Sequence, residues 1–580
     1  MKVSMQKILA FSVVFPDEPP KKIEDYLEGI EREELMKMGA FFLGFKNYNS
    51  KYSNPEDFMK MMFSEKNNVF FQKAYKKIEE YIDTSSFTTE TLQIPYVVSS
   101  LKLFEFGFNQ KAMNSEIKSE EQIQIDVFKA YLLFNEQLTD KRENLLDAVQ
   151  MSLPPHKRAS GTLIYLQLHV YDLTNYDLNK LFATQYLRAL RFFDFLSQRE
   201  DCIPLLNNFY AYFGVADYKD YLKRILPLSY GFIKSDKEAH TDIVLDVNAT
   251  QNDIDFLNNL IIDHIDLIEG FDFKDLRGTP IYKIADGHYR LIYPPFAIEM
   301  LYSGLYWKLK EFYDKLPKNQ KPKDLYGLKT LDFSEKFVLN GILKDYLADR
   351  YFQKTGDELD GTYAGAPDYY ARNSNSILLF ESKDIMISAK TKESLNFAEL
   401  QDELAEKLYR RKDGKAKAVM QLINSIVRIL TLSQGFDKEY DPDKIIINPI
   451  LVLHYRMFNT PGLNKFINYW FLEELFLLKK KGLNISNVKP LVIIDVDTLI
   501  FNRDVFADGI LDLETCLFEY QNDYVGYDGK GRSFISKEYE TQALHNSILP
   551  FSYYLEAKID KMGLRKVPRE LEEKLRQIFN

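Results

Sequence analysis

The chain has 580 residues, 46% of them apolar and 14% aromatic, with a formal net charge of -10 and a pI near 5.5. That length accommodates two to four domains with cores of their own, and the composition excludes a disordered or low-complexity chain. Two cysteines, Cys202 and Cys516, exclude a disulfide framework and a cysteine zinc site, and the acidic total does not advertise a nucleic-acid binder, although it can conceal a basic cleft.

At the N-terminus, MKVSMQKILAFSVVF places two lysines before an apolar run. The run from Ile8 to Phe15 is short, is interrupted by Ser12 and precedes PDEPPKK without a small-residue cleavage site, so a β-strand is expected rather than a signal peptide. No stretch reaches the ~20 apolar residues needed to cross a bilayer. A cytoplasmic protein with no membrane partner is expected. Residues 1–255 read as a mainly helical region. Its clearer segments are Phe70 to Tyr81, Gln122 to Asn135, Leu163 to Tyr171 and Gln185 to Leu196, with aromatics suited to helix packing. This region is assigned a recognition, regulatory or assembly role, toward a protein partner or a second copy.

Residues 256–327 read as a connector. A short strand precedes it at Ile243 to Val247, and a helix is expected from Asp253 to Glu269. A hairpin follows, Ile281 to Ile284 and Tyr289 to Tyr293 around Ala-Asp-Gly-His, then a helix from Ala297 to Tyr313. Lys, Pro and Gly in KLPKNQKPKDLYG, 315–327, suggest an exposed linker. An α/β core is expected over 328–510, with a helical extension over 511–580. The core opens on LDFSEKFVLNGILKDYLADRYF, where Asp332 and Glu335 have capping-box spacing.

The chemistry concentrates in PDYYARNSNSILLFESK, 367–383. Tyr369 to Arg372 and Ile377 to Phe380 read as strands around a turn over Asn373 to Ser376. Glu381 and Lys383, two apart on a strand, project from one face, and Asp368 enters from the neighbouring strand. Two carboxylates with a lysine suit phosphodiester hydrolysis by a hard cation: the carboxylates are oxygen ligands for Mg²⁺ or Mn²⁺, and the lysine positions water or offsets phosphoryl charge. Charged residues that merely keep a strand end soluble are the competing reading.

Pro367, Asp368, Glu381, Ser382 and Lys383 resemble the signature of the PD-(D/E)XK nuclease superfamily, and the flanks from about 328 to 500 follow its order of helix, three-stranded meander, helix and strand. The resemblance implies a restriction-endonuclease-like mixed sheet flanked by helices. It implies Asp368 and Glu381 as metal ligands, the Ser382 carbonyl as a third, Lys383 as the catalytic lysine and DNA as substrate. Glu335 is divided between helix cap and metal-site helper. Gln421, on the helix expected over Ala418 to Leu432, matches a glutamine of several branches. The tyrosine that follows four residues later in some of them is Ser425 here, so the branch stays open. A helical region fused to such a nuclease resembles antiphage or restriction effectors.

Between these parts, Lys407 to Lys417 carries six basic residues, and Arg410, Arg411, Lys412, Lys415 and Lys417 are candidates to face a phosphate backbone. Lys444 to Leu453 reads as a strand covered on both faces, with His454 at its end, and Leu491 to Ile494 as another. Helical segments are expected between them, from Phe466 to Lys479. Asp495 and Asp497 in IIDVDTLIF resemble the opening of a haloacid-dehalogenase-type phosphatase, but too little chain follows for that fold. GKGRS, 529–533, lacks phosphate-loop spacing. The alternative from another class is a nuclease-like fold without catalysis, used for binding or assembly.

Overall fold

The structure, a computed structural model, describes residues 7–44, 54–85, 87–89, 91–110, 117–231, 240–265, 270–360, 365–431, 436–437, 439–441, 443–525, 544–564 and 567–579. The chain divides into two compact units, Met1–Leu145 with Leu205–Lys315, and Leu146–Pro204 with Leu316–Asn580. Texture along the chain suggested breaks near 255 and 327, whereas the contacts place 146–204 with the C-terminal half. Among the described residues no helix is long and apolar enough to cross a membrane.

The first unit is mainly helical. Its aromatics pack a core in which Phe42 stacks on Tyr131 at 4.1 Å, and the buried Asn135 amide donates to the Leu9 and Ile94 carbonyls at 3.0 Å each. The strand expected over Ile8 to Phe15 is a correction. Only Lys7–Ile8 is extended, paired in parallel with Leu92–Gln93, and Phe11–Val14 forms a helical turn that buries Phe11 and Val14 together. The helix expected from Asp253 to Glu269 is likewise shorter: a Thr250–Asp253 capping box starts Gln251–Asn258, and Ile261 already forms a strand-like bridge to Ile281. The hairpin does form, Ile281–Ala285 against His288–Leu291, with Asp242–Val244 as a third strand. Pro294 and Pro295 then begin a helix rather than merely ending a strand, and the span to Lys315 splits into Pro294–Glu299 and Ser303–Lys315.

The second unit is built on a mixed five-stranded sheet. Its strands are β1 (Phe352–Thr355), β2 (Tyr369–Asn373), β3 (Ser376–Lys383), β4 (Ile446–Leu453) and β5 (Val492–Asp495), in spatial order β5-β4-β3-β2-β1. The first three form an antiparallel meander, and β3, β4 and β5 run parallel. Ser374, with φ of 49°, turns β2 into β3 with only Ser374 and Asn375 between the paired Asn373 and Ser376. β3 and β4 are buried almost throughout, as expected for strands covered on both faces.

Alternation sorts β3 into two faces. Ile377 and Leu379, with Tyr370 of β2, join a core built from α3 (Phe397–Leu408), α4 (Ala418–Thr431) and α5 (Leu463–Lys480), to which Ile164 and Tyr165 of α1 (Pro155–Gln167) also belong. α2 (Leu178–Ser197) contributes Phe192, whose ring lies 4.7 Å from Phe333. Phe333 belongs to a helical run over 325–347 whose middle, Leu328–Leu339, is π-helical. The capping box expected at Asp332 is therefore a correction. The run starts seven residues earlier, Asp332 lies inside it, and the Glu335 carbonyl accepts from the Asn340 N–H in an i→i+5 bond.

Candidate active site

The register pairs Tyr369 with Phe380, which puts Asp368 opposite Glu381 one step further on. Glu381 and Lys383 share the face of Ile377 and Leu379, so Asp368, Glu381 and Lys383 meet at the end of the meander. The Lys383 ammonium is hydrogen-bonded to Glu381 Oε1 and lies 3.6 Å from Asp368 Oδ2. Asp368 is held by the backbone: its Oδ2 accepts from the Ser382 N–H at 2.7 Å, and its carbonyl accepts from Gly356 N–H at 2.8 Å. A Cβ at Gly356 would stand 3.2 Å from the Asp368 backbone, so glycine at the end of β1 permits this close approach.

The site is unevenly open. The Glu381 side chain is fully buried and its Oε2 has no hydrogen-bond partner, whereas Asp368 and Lys383 retain 13% and 17% of their side-chain exposure. Electrostatics follow from that burial. Burial, then the Asp368 charge, pushes the Glu381 carboxyl well above its ordinary range. Burial and Asp368 push Glu335 up to about 8. For Lys383 burial acts downward, but Asp368 and Glu381 outweigh it and hold the ammonium charged. Two carboxylates thus share one cation, and Glu335 lies within electrostatic range of the group from the π-helical stretch.

A divalent cation fits the donor chemistry. Asp368 and Glu381 supply hard oxygens, Glu381 has a buried oxygen in want of a partner, and the site carries more carboxylates than Lys383 can neutralise. Among the described residues no three His, Cys, Asp or Glu side chains are grouped as a ready-made metal site, so the Ser382 carbonyl or water would complete the ligand set.

On the other face of β3 lies a second polar group that sequence reading missed. Asp384, one residue past the strand, accepts from Lys329 Nζ at 2.8 Å and from Ser334 Oγ at 2.5 Å, and Lys329 also reaches the Tyr455 hydroxyl at 3.0 Å. Burial acts to raise the Asp384 carboxyl, but the Lys329 charge and the hydrogen bonds from Lys329 and Ser334 hold it below its usual value. His454 is buried with Nε2 at 2.9 Å from Ser382 Oγ, and burial pushes the imidazole down to about 3, so it is neutral. A lone Lys-x-x-x-x-Ser spacing carries no signal of this arrangement.

Of the other candidates, Gln421 is half-buried in the first turn of α4, and no hydrogen bond joins it to Asp368, Glu381 or Lys383 among the described residues. The basic stretch forms a hairpin closed by an Arg410–Ala416 bridge and turned at Gly414, whose φ is 83°. Arg410 pairs with Glu474 at 3.1 Å and Arg411 with Asp413 at 3.1 Å, while Lys412 and Lys415 are exposed. Burial, then the charge of Lys383, lowers Lys417, so this lysine lies within electrostatic reach of the site. Asp495 caps the helix Val496–Phe501, accepting from Thr498 N–H at 2.9 Å, and the buried Asp497 pairs with Arg188 at 3.2 Å. GKGRS lies outside the described residues. The chain matches no family model, no curated protein and no solved structure.

Proposed function

We propose that this chain is a metal-dependent nuclease of the PD-(D/E)XK type that hydrolyses phosphodiester bonds, with DNA as the favoured substrate. The carrying observation is the convergence of Asp368, Glu381 and Lys383 at a partly open point at the end of a mixed sheet, with a third carboxylate, Glu335, in electrostatic range. The strand order, an antiparallel meander continued by parallel strands, supports the reading.

In this reading Asp368 and Glu381 would hold Mg²⁺ or Mn²⁺, with the Ser382 carbonyl as a further candidate ligand. A divalent cation there supplies Lewis acidity, which acidifies water and neutralises phosphate charge. Asp368 is oriented for that task by the Ser382 N–H. Lys383 keeps its proton and directs an ammonium at the negative charge that develops on the phosphoryl oxygens. Glu335, raised to about 8 by burial and the Asp368 charge, would take up or release a proton near neutral pH. Lys412, Lys415 and Lys417 hold the phosphate backbone beside the site, and a role in antiphage defence is carried only by the likeness of domain arrangement.

The test is incubation of the purified chain with plasmid and Mg²⁺ or Mn²⁺. Cleavage by the wild type and its loss in a folded Lys383→Ala variant are expected. Equal cleavage by both would assign the activity elsewhere, and no cleavage by either would favour a fold used for binding or assembly.

A further inference from the structure

The second unit contains a cleft of about 320 Å³ lined by Arg191, Phe337, Gly341, Lys344, Asp345 and Arg503. Its size falls in the range of small-molecule sites. In a chain of net charge -10 the lining sets two arginines and a lysine against Asp345, which is hydrogen-bonded to Arg503 Nη2. The two arginines come from elements far apart in sequence and converge on one carboxylate. Arg191 Nη2 and Nε reach Glu570 Oε2 and Oε1 at 2.6 and 3.3 Å, and Arg503 Nη1 reaches the same Oε2 at 2.6 Å.

We propose that this cleft binds a small organic phosphate of nucleoside-monophosphate size, and that Glu570, on the last helix Arg569–Phe579, holds the arginines in its absence. A fork of two guanidiniums suits a phosphate better than a carboxylate, because phosphate offers a third oxygen and a second charge. Lys344 is at hand for both. Phe337 is 41% exposed at the cleft, and it gives an aromatic surface for a planar base. Inorganic phosphate would satisfy the arginines and leave that surface and most of the cleft unused.

Phe337, Gly341, Lys344 and Asp345 belong to the helical run that also carries Glu335. A ligand in the cleft therefore bears on the element that reaches the catalytic group. This regulatory consequence rests on the nuclease reading, and the binding site itself does not.

The experiment is calorimetric titration of the full chain with AMP, pyrophosphate and inorganic phosphate, in buffer containing chelator so that no metal-mediated binding contributes. AMP is expected to bind with one-to-one stoichiometry and more tightly than either inorganic ion. Glu570→Gln is expected to tighten AMP about tenfold by removing the competing carboxylate. Gly341→Leu supplies a control that does not depend on the ion pairs. A Cβ at Gly341 meets nothing within 4 Å and Gly341 lines the cleft, so a leucine there is expected to occupy it and abolish binding while the melting temperature holds or rises. Absence of AMP binding in both wild type and Glu570→Gln would overturn the proposal, as would binding unchanged by Gly341→Leu or no tighter than that of phosphate. AMP binding without plasmid cleavage would remove the nuclease reading and leave the site standing.

Discussion

The two faces of β3 hold buried charge at the same depth with opposite outcomes. On one, both Asp384 oxygens have donors, the paired ammonium is buried with them, and the carboxyl sits below its usual range. On the other, Glu381 has one oxygen without a partner, shares Lys383 with Asp368, and is pushed far up. Carboxylates three residues apart thus teach different things. A buried carboxylate with a donor on each oxygen is a structural fixture, and one crowded by like charge with a bare oxygen is the donor that the proposed function assigns to a cation.

Removing one partner on each face should separate them most sharply. Asp384→Ala leaves the Lys329 ammonium buried without its counter-ion, and we expect a loss of about 3–5 kcal/mol in denaturant unfolding. Lys383→Ala should shift stability by less than about 1 kcal/mol, because Glu381 can take up a proton, while plasmid cleavage falls at least about 100-fold. A Lys383→Ala variant as unstable as Asp384→Ala would erase the distinction between the faces.

The pH dependence of stability should also differ in sign. Asp384 has a lowered carboxyl, so its contribution is present above its unfolded value near 4 and is lost as the pH falls through the folded one. Glu335 is raised to about 8, so the folded chain binds the extra proton and stability declines as the pH rises from about 4.5 toward 8. Glu335→Gln should therefore recover stability on the order of 1 kcal/mol at pH 9 and change little at pH 4, measured by thermal unfolding across that range.

The smallest effects belong to the basic hairpin beside the site. Lys412→Ala and Lys415→Ala should each weaken DNA binding modestly and reduce the slope of log affinity against log salt by about 1, with no change in melting temperature. An unchanged salt slope would remove the hairpin from the phosphate path.

Much of the Asp368–Lys383 face was legible because it is local: a two-residue turn, a period of two and a strand end place three groups within sixteen residues. The Asp384 face was not, since Lys329, Ser334 and His454 come from 50 to 70 residues away and no spacing announces them. Asp332 misled for a related reason. The capping-box pattern is satisfied by any Asp-x-x-Glu, and the helical run that swallows it is set by burial of Leu325, Leu328 and Phe333 upstream and around it. The return of 146–204 to the sheet unit was invisible for want of any local mark, because its apolar faces read alike whichever core they join.

The most direct test of the contrast is calorimetric titration of Mn²⁺ into the wild type and into Glu381→Gln, an isosteric change that removes the crowded charge. We predict a single binding event in the wild type that is absent from a Glu381→Gln variant of equal or higher melting temperature. Equal Mn²⁺ binding by both proteins, or none by the wild type, would contradict it.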